Sequence, residues 1–226
     1  MQVHNTNNIS FGTNIKFLSP KDFKKIKKTF SVSSKIENYI LHYDIIENSE
    51  ETKLCYRLNK PSCITTGIIT CVGIAVTDRA NKKASFFAHF FHSEDIYKKI
   101  SLIKDYLKGN NAIIIGQRKD KYEASSKIFE KLKSFCKTNN IPTTTIRGLK
   151  KGYESDMAYY GENDTLFICV SNIYNNEKYV NNPKNLKRVF SDISIAPCDK
   201  IEFLKHDSIK RKSFLVRIFK RLFKSC

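Results

Sequence analysis

Between Ile64 and Phe91 the chain reads ITTGIITCVGIAVTDRANKKASFFAHFF, two runs of branched and aromatic residues separated by the polar segment DRANKK. Such runs, bounded by Asp, Asn and Lys, have the composition of β-strands joined by a turn, because branched and aromatic side chains pack well on a pleated surface. The pattern predicts antiparallel strands over about 64–77 and 84–91, with a bend in the first near Gly67 or Gly73. Cys71 lies in the first run and His89 in the second. A hairpin can therefore bring a thiol and an imidazole face to face across neighbouring strands if the register allows.

Further along the chain, Ser93-Glu94-Asp95 has a capping hydroxyl followed by two acids that favour the positive end of a helix dipole. Ile96, Ile100, Ile103 and Leu107 then form a stripe and Gly109 supplies a stop, which predicts a helix over about 94–108. Ala112–Gly116 reads as a buried strand, and Tyr122–Cys136 as a helix with Ile128, Leu132 and Phe135 inward. Pro142–Ile146 and Thr165–Val170 read as two more strands. Towards the N-terminus, LCYRL at 54–58 is a further β-prone run, and Ile36–Ile46 fits either helix or strand. Lys21–Phe30 predicts a short helix with Phe23, Ile26 and Phe30 on one side, and residues 1 to about 20 read as a flexible leader. The element order predicts an α/β sandwich, with helices covering a largely antiparallel or mixed sheet. The expected division is an N-terminal extension over 1–50, a central domain over 51–200 and a basic amphipathic helix over 201–226.

A chain of 226 residues with 41% hydrophobic content can bury the core of one domain. Its longest apolar run is too short to span a bilayer. The start, MQVHNTNNISFGTNIKF, lacks the basic and apolar regions of a classical signal peptide. Seven cysteines, an odd number with no CxxC pair, argue against a disulfide framework or zinc ribbon and for a reducing compartment. The net charge of +18 implies an acidic partner. Lysine is spread through every segment without an RNP-like, helix-turn-helix or zinc signature, so sequence-specific nucleic-acid recognition is not expected. The last segment, SIKRKSFLVRIFKRLFKSC over 208–226, places Arg217, Lys220, Arg221 and Lys224 opposite an apolar face. Such a helix suits an anionic membrane surface or a partner's groove, or docks on its own domain; Cys226 beside it is a candidate palmitoyl acceptor.

Cysteine attacks carbonyl carbon only as thiolate, so a catalytic cysteine needs a histidine to take its proton and a third group to hold the imidazole. Cys71 and His89 fit the first two roles, and equally fit buried core positions in apolar strands. A metal set of Cys71, His89 and His92 is disfavoured, because strand residues three apart point to opposite faces.

The run from Ile64 to Asp78, followed by Ala88-His89-Phe90, resembles the core motif of the CheD family of chemoreceptor glutamine deamidases. That motif has a threonine, a strand with a small residue, Cys and Val, a closing aspartate, and a histidine in a small-His-Phe strand. Thr65 stands six positions before Cys71 and His89 eighteen after it, close to the family's spacing. The chain departs from the motif at Ile69-Thr70, where the family has Gly-Ser, and at Phe86-Phe87, where it often has glycines. The resemblance implies a protein-glutamine deamidase with Cys71 as nucleophile, His89 as base and Thr65 orienting the imidazole. Backbone N–H groups at Thr70 and Cys71 would form the oxyanion hole, with no cofactor or metal. The same triad occurs in bacterial deamidating toxins. The expected setting is therefore the bacterial cytoplasm or, for an effector, the host cytosol with membrane association through 208–226. The alternatives are a cysteine protease or transglutaminase using the same triad, and a non-enzymatic basic module that binds anionic membrane or nucleic acid.

Overall fold

A computed structural model describes residues 12–32, 54–90, 107–118 and 123–204. Strand alternation sets its layering. In β4 (Val72–Asp78), Val72, Ile74 and Val76 face one way, while Ala75 faces the other. Both faces are buried, which a strand achieves only when it is covered on both sides.

The covers are a second sheet and a helix. One sheet has the order β11 (Lys200–Phe203), β1 (Asn14–Leu18), β9 (Thr165–Asn172), β8 (Tyr153–Tyr160) and β3 (Ser62–Ile68). The other has the order β10 (Asp192–Ser194), β7 (Thr143–Leu149), β6 (Asn111–Arg118), β4, β5 (Lys83–Phe90) and β2 (Leu54–Lys60). Both are mixed: β1 runs parallel to β11 and β9, and β6 parallel to β7, while the remaining pairs are antiparallel. The sheets stack on a shared core that includes Phe17, Phe87, Ile115, Met157 and Ile168.

Helix α1 (Pro20–Val32) lays Phe23 and Ile26 on the outer face of the first sheet, against Ile64, Ala158 and Phe167. Helix α2 (Glu123–Thr138) does the same on the second, with Ile128, Phe129, Leu132 and Cys136 against Ile74, Phe86 and Ile114. The short helix α3 (Pro183–Val189) inserts Leu186 and Val189 into the inter-sheet core. The protein is an α/β sandwich.

A polar seam around Thr13, just before β1, and Asp199, just before β11, ties both segments to the two sheets. The Thr13 N–H donates to Asp199 Oδ1 (2.9 Å) and its hydroxyl to Asp164 Oδ1 (3.1 Å). Asn111 Nδ2 (2.6 Å) and the Thr144 hydroxyl also donate to Asp199, and the Tyr159 hydroxyl donates to Asp164 (3.0 Å). Buried carboxyl groups are tolerated only with such donors around them.

Several expectations are corrected. The strand expected over about 64–77 is two strands, β3 and β4, in different sheets, with Ile69–Cys71 crossing between them. Residues 14–18, read as leader, form β1 between two parallel neighbours, because NIKFL supplies alternate side chains to two buried faces. Lys200–Phe203, placed partly in the terminal helix, is an edge strand. The sequence reading also missed β8 and α3. Of the helix expected over 94–108, only Leu107 and Lys108 are described, and they are not helical. The segment 36–46 and the helix expected over 208–226, with Arg217, Lys220, Arg221 and Lys224, lie outside the described residues.

Phe17 is buried in β1 and stacks on Phe203, with ring centroids 5.1 Å apart. Phe17→Ala is expected to cost about 3–5 kcal/mol in denaturant unfolding, as for other buried phenylalanines. A residue in a flexible leader would move stability by no more than about 0.5 kcal/mol.

Candidate active site

The site begins with the parity of three strands. In β3, Cys63 faces the inter-sheet core while Ile64 faces α1, so Thr65, two residues after Cys63, also points between the sheets. In β5, Phe87 faces the inter-sheet core while Phe86, Ala88 and Phe90 face α2, so His89 points back towards Thr65. The two side chains meet across the sandwich: Thr65 Oγ1 lies 2.8 Å from His89 Nδ1. Both are almost fully buried, Thr65 at 2% and His89 at 5% exposure.

Cys71 reaches the same face from the crossover. Gly73 stands opposite His89 in the β4–β5 register, and Cys71 lies two residues earlier, one diagonal step from the imidazole. It is 6% exposed and belongs to the inter-sheet core. The expected direct opposition of Cys71 and His89 is thus replaced by a diagonal one, because the strand starts only at Val72.

The crossover is held from three sides. Gly67, with φ +75°, sits in the β-bulge between Thr65 and Ile68, and its N–H donates to Asp156 Oδ1 at 2.8 Å. The buried Ser125 hydroxyl on α2 donates to the Thr70 carbonyl. Gly116 at φ +119° lies so close that a Cβ there would fall 2.4 Å from the Cys71 carbonyl oxygen, so only glycine fits. Because a trans peptide sets N–H opposite to C=O, anchoring the Thr70 carbonyl on Ser125 turns the Cys71 N–H away from α2. Thr70 Oγ1 lies 3.9 Å from Cys71 Sγ.

Burial pushes the His89 imidazole down to about 4, so it is neutral at physiological pH, the state that a general base requires. Burial pushes the Asp156 carboxyl up to about 6, against the Gly67 N–H, which favours the charged form. Cys136 is pushed up to about 11 by burial, and Cys169 is raised further, so both remain thiols.

The sequence-derived trio of Cys71, His89 and Thr65 therefore shares one face, with a direct hydrogen bond between two members. His92 lies outside the described residues. Ser125, Gly116 and Asp156 were missed. Ser125 did leave a trace: it stands on the α2 stripe with Ile128, Leu132 and Cys136, where an apolar residue is otherwise expected. No protein-family model and no curated protein sequence matches this chain.

The depressed His89 pKa makes a pH prediction. The folded state binds a proton at His89 only below about pH 4, whereas the unfolded chain binds it near pH 6.5. Stability is thus fully present above about 6.5 and is lost as pH falls towards 4, by at most about 3 kcal/mol from this residue. Asp156, raised in the folded state, acts with the opposite sign. Chemical denaturation from pH 7 to 4 should therefore show a smaller loss in His89→Gln than in wild type; parallel curves would place His89 in a solvated setting.

Proposed function

We propose that the chain is a cysteine-dependent protein-glutamine deamidase. The observation that supports this reading most is the Thr65–His89 hydrogen bond across two sheets, beside a cysteine on the same face. This histidine has its Nδ1 fixed by a hydroxyl and stands diagonal to a thiol carried on an anchored turn.

In the proposed reaction Cys71 Sγ attacks the side-chain carboxamide carbon of a glutamine. With Nδ1 committed to Thr65, the thiol proton passes to His89 Nε2. The tetrahedral oxyanion accepts the Cys71 N–H, which the anchored Thr70 carbonyl aims away from α2. As the C–N bond breaks, His89 returns the proton to the departing ammonia and a thioester remains. Water, deprotonated by His89, then adds to the thioester and expels the thiolate, leaving glutamate. Each cycle consumes one water and releases one ammonia. Access is the demanding step, because Cys71 is only 6% exposed.

The basic, amphipathic sequence over 208–226 adds a second element to the proposal, attachment to an anionic membrane. An amine in place of water would make the reaction a transglutamination, and a backbone amide in place of the carboxamide a proteolysis.

Incubation with candidate protein substrates should release ammonia and raise the substrate mass by about one unit per glutamine converted. Cys71→Ala should abolish this. Thr65→Val, which keeps shape but removes the hydroxyl, should lower kcat by about 10- to 100-fold with little change in KM, the mark of a group acting through the base. Full activity in Cys71→Ala would remove the proposal.

A further inference from the structure

The end of the sandwich that carries the Cys71 crossover also carries a groove. Its inner part, of about 330 Å³, runs between Tyr153, Lys178, Tyr179 and Arg188. A second part, of about 690 Å³, continues past Glu177 and Tyr179 to Lys21 and Lys24 in the first turn of α1. Strand register places it. Tyr153 opens β8 two residues before Ser155, and Ser155 pairs with Ile68, three residues before Cys71. Leu18, at the end of β1, pairs with Cys169 near the end of β9, so α1 starts at this same end of the sheet.

The charge of the groove is one-sided. Lys21, Lys24, Lys178 and Arg188 line it with Glu177 as the single acid. Among the described residues none of these four cations makes an ion pair, whereas Lys16, Lys25, Lys127, Arg147 and Lys200 do. Uncommitted cations in a concave setting focus potential on an anionic visitor.

The geometry points to a docking groove for an acidic polypeptide segment of the substrate protein, next to the glutamine to be converted; this rests on the deamidase reading. Two features favour polypeptide over a nucleic-acid strand. Glu177 sits where the two parts of the groove meet, and a polyphosphate with one charge per nucleotide is repelled there, whereas peptide N–H groups donate to it. Asn181 and Asn185 line the inner part, and the Asn181 Oδ1 already accepts from Asn182 and Asn185, which leaves its Nδ2 to donate to a peptide carbonyl. Arg188, beside the two tyrosines, offers the planar fork that pairs with a carboxylate as it does with a phosphate, so it holds an anion without choosing between them. The arrangement also accounts for part of the +18 charge: the cations hold the acidic flank of the target while the crossover meets its glutamine.

The test is fluorescence anisotropy of the full chain with a labelled glutamate-serine peptide of about twelve residues, enough at roughly 3.3 Å per extended residue to cross the groove. Wild type and Cys71→Ala should bind alike. Lys178→Glu/Arg188→Glu should weaken binding about tenfold or more, and Lys133→Glu/Lys137→Glu, with the same net charge on exposed positions of α2, less than about twofold. If the first pair does not fold, Lys178→Gln/Arg188→Gln should give a smaller loss in the same direction. Absent binding, equal loss in both pairs, or displacement of the peptide by a lower concentration of single-stranded oligothymidylate of equal length would overturn the inference. Peptide binding without ammonia release from any substrate would remove the deamidase reading and leave the groove standing. Ammonia release by a protein that ignores the peptide would do the reverse.

Discussion

An imidazole buried between two sheets loses its hydration, and the hydrogen bond between His89 Nδ1 and Thr65 Oγ1 offsets that loss. The two residues stand on different sheets, so the bond exists only if the chain leaves one sheet after Ile68 and joins the other at Val72. That requirement makes the Ile69–Cys71 crossover the central constraint of the molecule. The bulge at Gly67, the close approach at Gly116 and the anchoring of Thr70 by Ser125 all serve to hold it. Cys71 is thereby presented on a rigid turn, facing inward beside the imidazole.

Much of this was legible in the chain. Runs of branched and aromatic residues gave β5, β6, β7 and β9, β4 was read only as part of one strand over 64–77, and the spacing of Ile128 and Leu132 gave α2. What escaped depended on partners far away in sequence. The segment NIKFL is short and preceded by polar residues, so it reads as a leader; its strand character comes from β9 and β11, more than 140 residues later. The β8 run, YESDMAYY, mixes acids with aromatics because Asp156 answers the Gly67 N–H, a demand invisible locally. The continuous look of Ile64–Asp78 concealed the crossover, since a residue buried in either sheet satisfies the same hydrophobic pattern.

For the site, residue types and spacing pointed to Cys71, His89 and Thr65, but not to how they meet. A hairpin places a cysteine and a histidine on adjacent strands, and the register then puts Gly73, not Cys71, opposite the imidazole. The threonine was expected on the same strand as the cysteine and instead arrives from the facing sheet. The resulting unit is less exposed than an open cleft, with Cys71 at 6% and His89 at 5% exposure.

The central claim is that Cys71, His89 and Thr65 act as one unit, and the most direct measurement is the rate of iodoacetamide alkylation at each cysteine of the folded chain at neutral pH, read by peptide mass spectrometry. The account predicts that Cys71 reacts before Cys136 and Cys169, whose thiols burial holds protonated, and that its rate falls about tenfold or more in His89→Gln. A Cys71 that stays unmodified while the fold is intact, or that reacts equally fast without His89, would contradict it.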